Sequence, residues 1–216
     1  MEKETLEKLI KSRRSIRKWT PQEVPEDVLT RAVEWATWAP NGGNMQGWRF
    51  VMVKNKDLIR TMADAVQTVA DRISAWPEGA AWPQEVERVR KNAAYFRHAP
   101  VLLAVFVAQY VSAADRILLA REAFDPEAKR ILAFRRSAPT AVQSAAAAVA
   151  TLLLALHEQG LGTVWLGAPL IAKDRLEALL KAPAQMSLTS LVAVGYPAET
   201  PVVGRKPLAE IFEVIR

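Results

Sequence analysis

Half of the 216 residues are hydrophobic, enough to bury one sizeable core, or a core and a subunit interface, so a single domain is the economical expectation. The chain has no cysteine, which excludes disulfides, thiolate nucleophiles and Cys-ligated zinc or iron–sulfur centres and leaves any redox chemistry to a bound cofactor. Its net charge of +6 and pI near 9.7 suit an anionic ligand, nucleic acid or a membrane surface, and charge alone does not choose among them.

The start, Met1 to Lys11, mixes Glu and Lys with Leu6, Leu9 and Ile10 at helical spacing. It lacks the apolar run of a secretory signal, and a cytoplasmic protein is expected. Residues 26–38 read as a helix: Pro25 suits the first turn, Glu26 and Asp27 favour that end, and Val28, Leu29, Ala32, Val33 and Ala36 share a face. Pro40 stops it, Asn41-Gly42-Gly43-Asn44 is turn chemistry, and Trp48 to Val53 reads as a buried strand.

A helix follows from near Lys56. Trp76, Pro77, Gly79, Trp82 and Pro83 then break the chain into a surface loop or lid, within an excursion around 72–98. Gln84 to Arg97 resumes as a charged helix, and Val101 to Ala108 is expected to be a central strand. Residues 112–136 are again helical and charged. Ala141 to Leu156 is almost wholly Ala, Val and Leu, but it carries Gln143, Ser144 and Thr151 and ends at His157. It falls short of the roughly 20 apolar residues of a membrane span, and its small residues suit a helix packed closely in a dimer core. Thr163 to Leu166 is short and extended, Leu176, Leu179 and Leu180 mark a helix, and Leu188 to Val194 supplies a late strand. Pro201 to Pro207 is an irregular basic tail.

Four stretches are candidates for chemistry. In Arg13-Arg14-Ser15-Ile16-Arg17-Lys18, alternate residues of an extended chain turn Arg13, Ser15 and Arg17 to one side. Guanidinium forks with a hydroxyl suit a phosphate; a solvated basic turn or a nucleic-acid patch has the same composition. Arg205-Lys206 is meaningful only if folding brings it to the same anion. The amide-rich loop Ala39-Pro40-Asn41-Gly42-Gly43-Asn44-Met45-Gln46 is either a plain turn or a partner for the donor–acceptor edge of a heterocycle such as a flavin pyrimidine. Gly160 to Gly167 is not a dinucleotide fingerprint, because it follows a helix, leads into extended chain and has Trp165 where a third glycine belongs. Its glycines instead allow backbone to approach a flat ligand. His98 and His157 are the only histidines, with no HExxH-like spacing, so neither a metal site nor histidine catalysis is expected.

Together these stretches resemble the FMN-dependent nitroreductase family in order and spacing: an RRSxR-like opening, an APSxxNxQPW-like loop and strand, a late GLGxxWxG-like segment, then GYP (Gly195-Tyr196-Pro197) and a basic pair. The resemblance spans nearly the whole chain and implies one domain over residues 1–216. Its implied fold is α+β, a mostly antiparallel central sheet flanked by helices, in an intertwined homodimer with exchanged C-terminal segments. It also implies FMN at the subunit interface. Arg13, Arg14, Ser15, Arg17, Arg205 and Lys206 would come from one chain, with Arg13 and the basic pair on the phosphate and Arg17 nearer the pyrimidine. Pro40, Asn41, Gly42 and Asn44 would come from the partner, and the backbone of Trp165, Leu166 and Gly167 would line the other side of the ring. Two departures stand out: Asn41 replaces a frequent serine, and Gly47 replaces the proline before the tryptophan. Ser144 stands where some members carry an amide side chain, with Gln143 beside it.

The implied chemistry is ping-pong transfer of hydride from NADH or NADPH, through flavin N5, to a small electron-poor acceptor such as a nitroaromatic or quinone, with no catalytic side chain required. Reductive dehalogenation, enone reduction, flavin fragmentation and flavin binding without turnover are the alternatives. Neither nucleic acid nor a membrane is an expected partner. Trp76 and Trp82 are either a mobile aromatic lid or core residues.

Overall fold

The computed structural model describes residues 3–216. Eight α-helices and four strands follow one another as α1 (Lys3–Ser12), α2 (Glu26–Ala36), β1 (Trp48–Val53), α3 (Lys56–Ser74), α4 (Pro83–Asn92), β2 (Val101–Ala108), α5 (Ala113–Arg121), α6 (Pro126–Ser137), α7 (Thr140–Glu158), β3 (Gly162–Leu166), α8 (Lys173–Leu179) and β4 (Met186–Gly195). The sheet order is β1-β2-β4-β3, antiparallel at every pairing.

Helices lie on both faces of this sheet. Leu102, Ala104 and Phe106 of β2 point to a core closed by Ile59, Met62 and Val66 of α3 and Leu176 of α8, while Val101, Leu103, Val105 and Val107 point to one closed by Leu29 and Ala32 of α2 and Val149, Leu152 and Leu156 of α7. The two-residue period of a strand therefore puts apolar side chains on both faces, which is why β2 reads as a continuous apolar run. In β4, Leu188 and Leu191 are three residues apart yet enter the same core. A bulge opposite Val105/Phe106 inserts the extra residue that resets the alternation, and Thr189 donates its hydroxyl to the Val105 carbonyl at 2.9 Å.

Local chemistry sets the helix ends. The Asn55 side chain accepts from the amides of Asp57 and Leu58 at the start of α3, and Ser112 and Asp115 form a reciprocal capping box at α5. The charged helical stretch over residues 112–136 forms two helices, because Asp125 caps a new start and Pro126 occupies its first turn. The helix expected over Gln84 to Arg97 ends at Asn92, and Tyr95–His98 tightens into a 3-10 turn that delivers Phe96 to the core. The apolar helix α7 packs Ala145, Ala148, Val149, Leu152, Leu153, Ala155 and Leu156 into the protein interior. Its stripe Gln143, Ala147, Ala150 and Leu154 is open or only half covered.

Beyond Pro201 the chain is exposed and holds only the short turn Leu208–Glu210. This arm displays Val202, Val203, Leu208, Ile211, Phe212, Val214 and Ile215 to solvent.

Candidate cofactor site in two halves

The first half-site lies near the C-terminal end of α7. After α1 the chain runs extended beside the edge strand β3, Ser15 bridging Thr163 in parallel and the Ile16 amide donating to the Thr163 carbonyl at 2.9 Å. This contact needs Gly162, since a Cβ there would stand 2.9 Å from the Ile16 side chain. The extended strip turns Arg13 into a concavity of about 530 Å³ shared with Arg205, Trp165, Ala150 and Leu154. Arg13 and Arg205 thus meet across 192 residues of sequence, and neither forms an ion pair among the described residues. Burial, then the charges of Arg205 and Arg14, lower the Arg13 pKa. Two guanidiniums in one concavity without an ion-paired carboxylate have the chemistry to accept an anion.

The other residues of this group divide. Arg14 donates to the carbonyls of Lys11 and Arg13 at 2.6 and 2.8 Å, closing the end of α1 while lining the same concavity. Arg17 is exposed and lies outside it. Its amide donates to Glu199 Oε1 at 2.5 Å, and its guanidinium faces the Tyr95 phenol, whose pKa burial raises against the pull of Arg17. Lys206 lines none of the concavities described here. Trp165 is half exposed on β3 while Leu166 is buried behind it, and beside Gly167 a Cβ would meet open space. Beyond Thr163, no strand pairs with the outer edge of β3 among the described residues, so the edge at Trp165 to Gly167 stays approachable.

The second half-site lies at the N-terminal end of the same helix. Gly42 donates its amide to Ser144 Oγ at 3.1 Å, and that hydroxyl donates onward to the Thr140 carbonyl at 2.8 Å. Asn41 Oδ1 accepts from the Gln46 amide at 2.9 Å and pins the loop. A Cβ on Gly42 would lie 2.3 Å from Thr140 Cγ2, and Gly43 sits at φ +59°, so both positions favour glycine. Asn41, Gly42 and Ser144 line a narrow cleft with Trp48, Ala108 and Tyr110. Pro40 and Asn44 lie outside the cleft lining, and Gln143 turns away to donate to the Ala138 carbonyl at 2.9 Å. Tyr110 was not singled out from the sequence; its ring lies against Gly42 and Gly43, a contact no local pattern announces.

Along α7 the two half-sites are roughly 14 Å apart, the rise from Ser144 to Leu153. His98 lines neither, and His157 stands behind Arg13 and Arg14 with its Nε2 2.8 Å from Ser12 Oγ.

Sheet and helices together define an α+β protein in which Arg13 and Arg205 line one concavity beside a strand edge. The Nitroreductase family profile matches residues 10–196, and the chain belongs to that family. Among curated proteins it is 28% identical over 210 residues to the iodotyrosine deiodinase of Nematostella vectensis, covering 95% of this chain and 73% of that one. Among solved structures, a BluB-like flavoprotein from Clostridium difficile 630 superposes with a TM-score of 0.84 at 28% identity over the whole of both chains. An iodotyrosine deiodinase bound to FMN and 3-iodo-L-tyrosine superposes with a TM-score of 0.67 at 27% identity, covering 98% of this chain and 97% of that one.

Proposed function

We propose that this protein is an FMN-dependent oxidoreductase that works as a homodimer, taking reducing equivalents from NADH or NADPH and passing them to a small electron-poor acceptor. The observation that carries the reading is the meeting of Arg13 and Arg205 in one concavity with no counter-charge, where a phosphate monoester supplies the missing anion. Trp165 gives that concavity an aromatic wall, and the half-site residues fit a mononucleotide in chemistry. When bound, FMN supplies the group that accepts and then returns two electrons.

The rest is positioning. Arg13 and Arg205, with Arg14 and Lys206 adding positive potential, hold the phosphate. Ser15 and Arg17, farther along the same extended strip, reach toward the ring, and Arg17 favours negative charge on it. The free edge at Trp165, Leu166 and Gly167 offers backbone at the ring face. Antiparallel pairing of two α7 helices through the stripe Ala147, Ala150 and Leu154 sets the Ser144 end of one chain against the Arg13 end of its partner. Asn41 and Gly42, with Pro40, Asn44 and Gln143 flanking them, then complete the partner's site, and the exposed apolar arm after Pro201 wraps onto the neighbouring chain. A cytoplasmic location goes with this reading, where reduced nicotinamides are available.

A second reading is reductive dehalogenation of a halogenated phenol, favoured by the relatives named as iodotyrosine deiodinases. One experiment addresses both. The purified protein is examined for bound flavin, reduced anaerobically by NADH and by NADPH, and then mixed in stopped flow with a nitroaromatic, a quinone, an enone and an iodophenol. Rapid flavin bleaching followed by reoxidation with one acceptor is expected. A colourless protein that does not take up added FMN rejects both readings.

A further inference from the structure

Of the chain's four asparagines, Asn41, Asn44, Asn55 and Asn92, only Asn41 precedes glycine. An asparagine loses its amide when the nitrogen of the next residue attacks the side-chain carbon Cγ. A following side chain hinders that approach; glycine has none, and its backbone turns freely into the attacking geometry. Asn41 and Gly42 therefore carry the means of a covalent change in their own sequence, and the fold decides whether it proceeds.

In the closed loop the reacting atoms are held apart. Asn41 is extended, at φ −150° and ψ 155°, which turns the Gly42 nitrogen out of eclipse with Asn41 Cβ, whereas the five-membered ring formed in the attack requires that eclipse. The nitrogen is also engaged: its N–H is donated to Ser144 Oγ at 3.1 Å, and that hydroxyl is anchored on the Thr140 carbonyl at 2.8 Å. The side chain is fixed from the other direction, Oδ1 accepting from the Gln46 amide at 2.9 Å and Nδ2 donating to the Ala39 carbonyl at 3.4 Å. These restraints are shallow. Asn41 and Gly42 are half covered, and residues 43–46 are exposed. Asn44 and Gln46 both sit in the left-handed region, at φ 52° and 49°, which disfavours the closed loop. Segments with so little buried open locally at small cost.

We infer that Asn41-Gly42 is a self-modifying site with Ser144 as its gate: Asn41 deamidates when the loop opens and is spared while Gly42 is bonded to Ser144. In the open loop the Gly42 nitrogen loses its proton to solvent and bonds to Asn41 Cγ, the bond from Cγ to Nδ2 breaks, and the amide nitrogen takes up a proton and leaves as ammonia. Water then adds to one of the two carbonyls of the cyclic imide and opens it to aspartate, or to isoaspartate, in which the main chain runs through Cβ and Cγ. Aspartate brings a negative charge to the narrow cleft that Asn41 lines. Isoaspartate lengthens the main chain beside a glycine with no room to move, since even a Cβ there meets Thr140 Cγ2 at 2.3 Å. The covalent step stands on this geometry alone. Its consequence rests on the proposed flavin site: a carboxylate in the partner-facing half repels an anionic cofactor, so the modified loop weakens FMN binding.

The test incubates the purified protein in mildly alkaline buffer and follows the peptide containing Asn41 by mass spectrometry, with isoaspartate read by enzymatic methylation. Folded wild-type protein should convert Asn41 at least tenfold more slowly than the same chain unfolded in urea. Folded Ser144→Ala should convert it at least threefold faster than folded wild type. Equal rates in folded and unfolded wild type, equal rates in wild type and Ser144→Ala, or conversion that falls on Asn44 instead of Asn41 overturns the inference. If Ser144→Ala does not fold, Ser144→Cys, which keeps the volume but accepts a hydrogen bond only weakly, takes its place. Asn41→Asp reproduces one product and should bind FMN about tenfold more weakly than wild type. Equal affinity in those two proteins overturns the stated consequence, whereas a wild-type protein that takes up no FMN rejects the flavin reading and leaves the covalent result to stand on its masses.

Discussion

Arg13 and Arg205 approach each other from opposite ends of the chain, and burial first, then the charge of Arg205, raises the cost of keeping Arg13 charged. Such a pair destabilises the empty protein and favours an anion, so a substitution should move the two properties in opposite directions. Arg205→Ala is expected to weaken FMN binding by tenfold to a hundredfold, the order expected for a lost charge-assisted hydrogen bond of about 1.5–3 kcal/mol. The same variant without FMN should melt no lower than wild type. Fluorescence titration of flavin and thermal melts of the apo form read both; a lower apo melting temperature with unchanged flavin affinity would mean that Arg205 is structural.

Gly42 tests the second half-site without touching any charge. A methyl group there collides with Thr140 Cγ2 at 2.3 Å, and overpacking of this kind typically costs about 1–3 kcal/mol. Gly42→Ala should lower the denaturant midpoint accordingly. Adding Thr140→Ser removes the colliding methyl and should recover most of the loss. If the double variant is no more stable than the single one, the collision is not what glycine avoids.

How much of this was legible beforehand depends on whether the signal was local. The strand Val101–Ala108 and the helix around Ala141–Leu156 were readable because burial of whole elements leaves an uninterrupted apolar run. The Asp125-Pro126 break was missed because the charged residues on either side share one helical composition, and only the cap and ring constraint at that point divide them. Arg13 and Arg205 were each weak alone; their convergence is a property of the fold. The separation of the loop residues from the arginine cluster along α7 followed from the family resemblance and from no spacing in the chain. Tyr110 and Glu199 were not anticipated, because each acquires meaning only from neighbours distant in sequence.

Trp76 and Trp82 flank the 3-10 turn Pro77–Ala81 and are 53% and 60% exposed, and α4, which follows, has no buried residue. Exposure favours the lid reading over the core one. Replacing both by alanine should leave the melting temperature within a few degrees of wild type and FMN affinity unchanged, while altering the ratio of kcat/KM between a quinone and a nitroarene. A large loss of stability would return these rings to a packing role.

His157 offers a prediction with a definite sign. Burial first, and then the positive charges of Arg13 and Arg14, lower its pKa below the ordinary value of about 6.5. A histidine whose folded-state pKa is depressed binds its proton more readily in the unfolded chain. Its contribution to stability is therefore whole above about pH 6.5 and is lost as pH falls toward the depressed folded value. His157→Gln keeps a hydrogen-bonding partner for Ser12 Oγ but removes the titration. Without flavin, the wild-type melting temperature should drop more between pH 7.5 and pH 5.5 than that of the variant. A phosphate between Arg13 and Arg205 offsets the repulsion that depresses the histidine, so adding FMN should shrink the difference between the two proteins. Parallel pH profiles for both, with and without FMN, would show that His157 does not sense the arginine cluster.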